Sequence, residues 1–300
     1  MIAVMMYRRT ERGRKRRKTA LFLIVALIVA VLVGAGVWYV FVKSDPPKKA
    51  VPLASHTQQP PTKEIKKEAP KPPLVDLQPT VDAWLAKYKY IDFGIVVYDP
   101  ANDKIIAAHN PDEKFFAASL YKLYIAYLAL EDFQSGKQDP SEILTQGYTR
   151  KQCVDKMIRE SYSPCGEAMM AAMGQESLRQ RVAAMGINNT VFAGITTTAQ
   201  DASLILKDIV AGHDLSAENT DFLKNAMRIQ PAKFRGGLAK GSPKATWETK
   251  VGWNEQYNYH DVGIMTLPSG RQYVVAILSY HNGSPTPIAS FSATIYNALR

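Results

Sequence analysis

The chain has 300 residues, 46% of them apolar, which suits one large folded domain with appendages or two small ones. Its formal net charge of +10 is unevenly placed: residues 1–19 carry eight basic side chains against Glu11, residues 43–78 carry seven lysines against four carboxylates, and the remainder is about neutral. A nucleic-acid-binding surface needs basic residues on the folded face, so this distribution excludes one and leaves the excess charge to a tail and a linker.

From Ala20 to Val42 the chain has no charged side chain. At about 1.5 Å rise per residue, a helix of that length spans a hydrocarbon core of about 30 Å. Trp38 and Tyr39 near its far end suit the membrane interface, and the basic cluster ahead of it places residues 1–19 in the cytoplasm. The expectation is a single-pass membrane protein held in the lipid bilayer by a transmembrane helix over residues 20–42, with everything after it extracytoplasmic. A cleaved signal peptide is the competing reading; its apolar stretch is shorter and ends at a small-x-small site, whereas Ala35 and Val37 do not end this run. Residues 43–78 contain Pro46-Pro47, Pro60-Pro61, Pro72-Pro73 and few aromatics. Such a segment cannot bury enough apolar surface to fold and reads as a partly extended spacer.

Residues 79–300 form the folded part. Val81 to Tyr88 places Val81, Trp84, Leu85 and Tyr88 on one helical face. Residues 93–98 and 104–108 are β-rich and flank the turn Asp99-Pro100-Ala101-Asn102-Asp103, which predicts a hairpin. Leu120 to Phe133 is too apolar for a surface helix and suits a domain centre. Helical patterns recur at 151–160, 166–173, 177–185, 199–211 and 214–226, with Gly186 and Gly212 as C-terminal caps. Strands are expected at 246–253, 260–267 and 272–280, and a last helix at 287–299. The order predicts an α+β fold, three-layer α/β/α-like, with an antiparallel sheet built from both chain ends and an inserted all-helical subdomain.

Phe116-Ala117-Ala118-Ser119-Leu120-Tyr121-Lys122 sets a serine and a lysine three positions apart at the start of the central helix, on one face. A lysine held neutral in a poorly hydrated site can act as general base for such a serine. Cys153 and Cys165 form a candidate disulfide outside the cytoplasm. A straight helix would hold them about 18 Å apart, beyond the roughly 7 Å reach of a bridge, so the chain must double back, and Ser161-Tyr162-Ser163-Pro164 supplies the break. Two free thiols, or a metal site lacking other ligands, are the alternatives.

These features together resemble the penicillin-recognising serine hydrolases, and within them the class A β-lactamase-like family, over about residues 79–300. Residues 116–123 look like that family's nucleophile motif. Ser161-Tyr162-Ser163 falls where the family has Ser-Asp-Asn, Thr196-Thr197-Thr198-Ala199-Gln200-Asp201 resembles its Thr-Thr-Ala-x-Asp helix start, and Lys250-Val251-Gly252 sits at its Lys-Thr-Gly position. The resemblance implies that Ser119 is acylated, that Lys122 is its base, and that Ser161 relays a proton to the leaving nitrogen. It also implies that Ser163, Lys250, Val251, Gly252 and Trp253 bind substrate, with the backbone N–H groups of Ser119 and Trp253 as the oxyanion hole. No cofactor and no metal is expected, and the molecule is expected to be a monomer.

Departures from the pattern shape the expected activity. Ser163 replaces an amide that would bond both the lysine and the substrate, and Val251 replaces a hydroxyl residue that would touch a substrate carboxylate. Residues 190–196 contain no carboxylate where the family's longer Ω-loop carries the glutamate that activates the deacylating water. Three readings follow: a hydrolase opening β-lactam rings; a D-Ala-D-Ala carboxypeptidase or penicillin-binding protein acting on peptidoglycan stem peptides with slow deacylation; and a non-catalytic wall-binding module. Joint retention of Ser119, Lys122, Ser161 and Lys250 disfavours the last. Glu160, Glu167 and Glu248 neighbour the proposed site, and one of them could substitute for the missing glutamate, although none is expected to when taken singly. His260 and Asp261 are read as strand and turn residues, Tyr121 and Tyr162 as cleft or core aromatics.

Overall fold

The computed structural model describes residues 71–254 and 257–300. The apolar run at 20–42, and with it the expected membrane span, lies outside the described residues, as does most of the linker. Among the described residues no helix is long and apolar enough to cross a membrane.

A five-stranded antiparallel sheet in the order β2-β1-β9-β8-β7 is built from both ends of the folded part. Its strands are β1 (Asp92–Asp99), β2 (Lys104–His109), β7 (Thr246–Asn254), β8 (Asn258–Thr266) and β9 (Gln272–Tyr280). Alternation along each strand sends side chains to opposite faces, and here both faces are apolar. Val96, Val274, Ala276 and Leu278 join one buried cluster, while Ile95, Val97, Val275 and Ile277 join another. Helices cover each face. On one side lie α1 (Gln78–Leu85), the short α8 (Leu238–Gly241) and the C-terminal α9 (Thr286–Leu299), with Trp84 packed on Phe291. On the other lie α2 (Tyr121–Gln134), α3 (Arg150–Arg159), α4 (Ser163–Met173), α5 (Gln175–Ala184), α6 (Ala199–Ala211) and α7 (Ala217–Arg228). This is the three-layer arrangement expected from the element order, and burying each Val, Leu or Ile on these faces contributes about 1.5–3 kcal/mol.

The central helix α2 is buried on every side from Tyr121 to Leu130. A helix apolar all round can be stable only inside a core, and this placement holds its N-terminus fixed. The disulfide Cys153–Cys165 joins α3 to α4 with a Cα–Cα distance of 4.9 Å. The reversal between these helices at 160–162 is the doubling back that such a bridge requires.

Element boundaries differ from the sequence pattern where capping chemistry decides them. α4 begins at Ser163, with Pro164 inside its first turn; proline is tolerated there because its missing N–H would be unpaired anyway. α7 begins at Ala217 because Ser216 caps it, accepting from the Asn219 N–H at 3.2 Å. α1 begins at Gln78 with Leu77 fully buried, so order starts slightly inside the segment read as spacer. Two short pairings gave no periodic signal: β3 (Phe115–Phe116) with β6 (Thr196–Thr197), and β4 (Ile143–Thr145) with β5 (Tyr148–Thr149).

Candidate active site

Ser119 lies in a single 3₁₀ turn, Ala118–Leu120, that runs directly into α2. The turn is held from two sides. The N–H of Ala117 donates to the carbonyl of Ile195 at 2.9 Å, and β3 pairs with β6. The edge strand β7 presses on it at Gly252, where an added Cβ would stand 2.5 Å from the Ala117 oxygen and 2.9 Å from Leu120 Cγ. A residue without a side chain is therefore what lets the strand's backbone reach the serine. Ala118 has φ +45° and Ser161 has φ +54°, conformations that cost a non-glycine residue about 1–3 kcal/mol each and cluster at functional sites.

Three elements converge on Lys122 in the first turn of α2. Its Nζ lies 3.0 Å from Ser119 Oγ, donates to the Ser161 carbonyl at 2.7 Å, and lies 3.1 Å from Ser163 Oγ. The Ser163 hydroxyl therefore keeps the lysine contact that the absent amide would have made. Lys122 is fully buried, and burial pulls its pKa down to about 8, with the Glu167 carboxylate opposing. Lys250, on β7, donates to Ser161 Oγ at 2.9 Å and to the Val251 carbonyl at 2.8 Å. Burial first, and then the Lys122 charge, hold Lys250 well below the ordinary lysine range, against the pull of Asp261. Ser161 thus bridges two lysines, one through its carbonyl and one through its hydroxyl.

Ser119, Ser163, Trp253, Phe116, Ile195 and Glu167 line an open cleft of about 520 Å³. Tyr121 also lines it, whereas Tyr162 packs edge-on against Tyr148 and donates to Gln146. Val251, expected beside the substrate, is buried in the apolar cluster on the α1/α9 side of the sheet, because its neighbour Lys250 takes the opposite face. Of the neighbouring carboxylates, Glu160 pairs with Lys156 and Arg159, and Glu248 is buried with Arg228. Only Glu167 of these three reaches the cleft. Among the described residues no group of His, Cys, Asp and Glu is placed to hold a metal ion.

Supporting contacts that the sequence pattern did not expose surround this core. His260 is fully buried on β8: its Nδ1 accepts from the Ser279 N–H at 3.0 Å, which leaves Nε2 to donate to the Phe116 carbonyl at 2.9 Å. Residues 191–196 close on themselves through a Val191–Thr196 bridge. Below them Asp201 Oδ2 accepts from the Asn189 N–H and the Thr190 hydroxyl, both at 2.8 Å, and Tyr124 and Thr190 meet at Thr197. Gly166 lies inside α4, and an added Cβ there would stand 2.9 Å from Lys122 Cε and 2.9 Å from Tyr121 Oη. A glycine inside a helix is the one signal that marks this close approach in advance.

His260 makes a stability prediction. An imidazole in the unfolded chain takes its proton near pH 6.5, whereas burial lowers this to about 4 in the fold. The unfolded state binds more protons throughout that window, so stability is whole above pH 6.5 and falls by about 3 kcal/mol as pH drops to about 4. Urea unfolding at pH 7 and at pH 4.5 should show a smaller acid loss for His260→Gln than for the parent. Equal losses would remove the assignment.

The profile of the β-lactamase enzyme family matches residues 76–299. No curated protein matches the chain significantly. Among solved structures, PBP-A superposes with a TM-score of 0.69 at 22% identity, covering 77% of this chain and 98% of that one. A PBP-A mutant solved as an acyl-enzyme complex with penicillin G gives 0.68 at 22%, over 77% and 98%. A β-lactamase from Desulfarculus baarsii gives 0.66 at 17%, over 74% and 97%. At these identities the superpositions speak for the fold.

Proposed function

Because the chain belongs to the β-lactamase enzyme family and is a serine hydrolase of that type, we propose that it is acylated on Ser119 by β-lactams or related amides and hydrolyses them. The observation that carries this reading is the 3.0 Å separation of Lys122 Nζ and Ser119 Oγ beside an open cleft. The neutral Lys122 amine takes the Ser119 proton as Oγ attacks the lactam carbonyl. Negative charge on the carbonyl oxygen is met by the backbone N–H groups of Ser119 and Trp253; one such donor contributes about 10²–10³ in rate. When the C–N bond breaks, Ser161 Oγ gives its proton to the leaving nitrogen and is resupplied from the lysines on either side. A substrate carboxylate beside Lys250 brings the counter-charge that its burial lacks, so binding favours the protonated lysine.

The D-Ala-D-Ala carboxypeptidase reading is kept because residues 190–196 offer no carboxylate and close on themselves. The likeness to PBP-A and to a β-lactamase is one of fold and is common to both readings. Under either reading the enzyme is a monomer, anchored by residues 20–42 with its catalytic domain extracytoplasmic and facing peptidoglycan stem peptides. The deciding experiment gives the full-length protein a chromogenic cephalosporin and a fluorescent penicillin and then measures its mass. Rapid colour supports the lactamase, and a lasting adduct on Ser119 supports the penicillin-binding protein. Neither signal would leave a non-catalytic module.

A further inference from the structure

We propose that Glu167, projecting from helix α4 and not from the loop at 190–196, is the general base that activates water to hydrolyse the Ser119 acyl-enzyme. This deepens the reading above and rests on it. The placement follows from the chain. α4 starts at Ser163, whose hydroxyl lies 3.1 Å from Lys122 Nζ, and Glu167 comes four residues later, one turn along the same helical face. Between them Gly166 lets the helix backbone lie against the Lys122 stem and the Tyr121 hydroxyl, closer than any side chain would permit. The result is that Ser163 and Glu167 line the same cleft as Ser119.

Two further observations fit. The Glu167 carboxylate is close enough to act electrostatically on Lys122 and on Tyr121. Among the described residues no cation is ion-paired with it, whereas Glu160 and Glu248 are held by arginine or lysine. It is therefore the carboxylate near the serine that is free to take a proton. In the step itself a water oxygen attacks the ester carbonyl carbon and its proton passes to the Glu167 carboxylate. The tetrahedral oxyanion then collapses and the C–Oγ bond breaks. Oγ recovers a proton through the Lys122 amine, which Glu167 resupplies. Free acid, neutral lysine, ionised Glu167 and Ser119 hydroxyl are regenerated.

The test uses the full-length protein with benzylpenicillin and follows both the appearance of the Ser119 adduct and its disappearance by mass. In Glu167→Gln the adduct should persist about 10²–10⁴ times longer, while its formation slows far less, and Glu167→Asp should restore part of the loss. Equal adduct lifetimes in parent and Glu167→Gln would overturn the assignment, as would formation and breakdown slowing together. If the parent forms neither adduct nor product, the acyl-enzyme reading fails first and takes this one with it.

Discussion

Replacing Lys122 with alanine is expected to slow acylation of Ser119 by about 10²–10⁴-fold, the usual contribution of a positioned general base. The pH dependence is the sharper part of this expectation. Only the neutral amine accepts the serine proton, and burial brings the Lys122 pKa to about 8, down from 10.5 for an exposed lysine. The acylation rate should therefore climb about tenfold per pH unit below 8 and level off above it. An exposed lysine at the same place would give a rate still climbing beyond pH 10. Stopped-flow labelling with a fluorescent penicillin reads both the magnitude and the inflection. Lys122→Met guards against a trivial cause, because it fills the volume of the buried stem while removing the amine. A rate that is unchanged in the variants, or that rises smoothly past pH 9 in the parent, would refute the proposed base.

Gly252→Ala is the second large effect. The added methyl carbon would stand 2.5 Å from the Ala117 carbonyl oxygen, 2.9 Å from Leu120 Cγ and 3.1 Å from His260 Cδ2. The first of these is backbone in the turn that presents Ser119, and that turn is already anchored to Ile195 and to β6. Relief has to come from β7, an edge strand with a single partner. Moving β7 outward carries the Trp253 N–H and Lys250 away from the serine. Loss of one oxyanion donor alone reduces the rate by about 10²–10³, and crowding of this kind costs about 1–3 kcal/mol in stability. The variant should thus fold, with a lower urea midpoint, and label at least a hundredfold more slowly, on the order of that donor loss. Labelling at the parental rate would mean that the strand's distance from Ser119 is immaterial.

Much of this architecture follows from local pattern alone. The unbroken apolar stretch of α2 requires burial wherever it is placed, so the residues opening it, Ser119 to Lys122, were bound to sit at the centre of a domain. β-rich runs bounded by turn residues likewise located β1, β2 and β7–β9. The cysteine spacing demanded a reversal, and the structure makes it at 160–162.

Other features depend on contacts between segments far apart in the chain, which no window of sequence records. Val251 and Lys250 are adjacent, and only the sheet's position between two helical layers decides that the lysine meets Ser161 while the valine faces the other core. His260 reads as an ordinary strand residue until β3 and β9 bring the Phe116 carbonyl and the Ser279 N–H to its two nitrogens. Glu167 is one carboxylate among several near the motif until Gly166 allows α4 to lie on Lys122. Composition and periodicity determine which side chains must be buried and in what kind of element. Which polar groups meet inside is decided by packing, since hydrogen bonds and charge effects act over a few ångströms of space and are indifferent to distance along the chain.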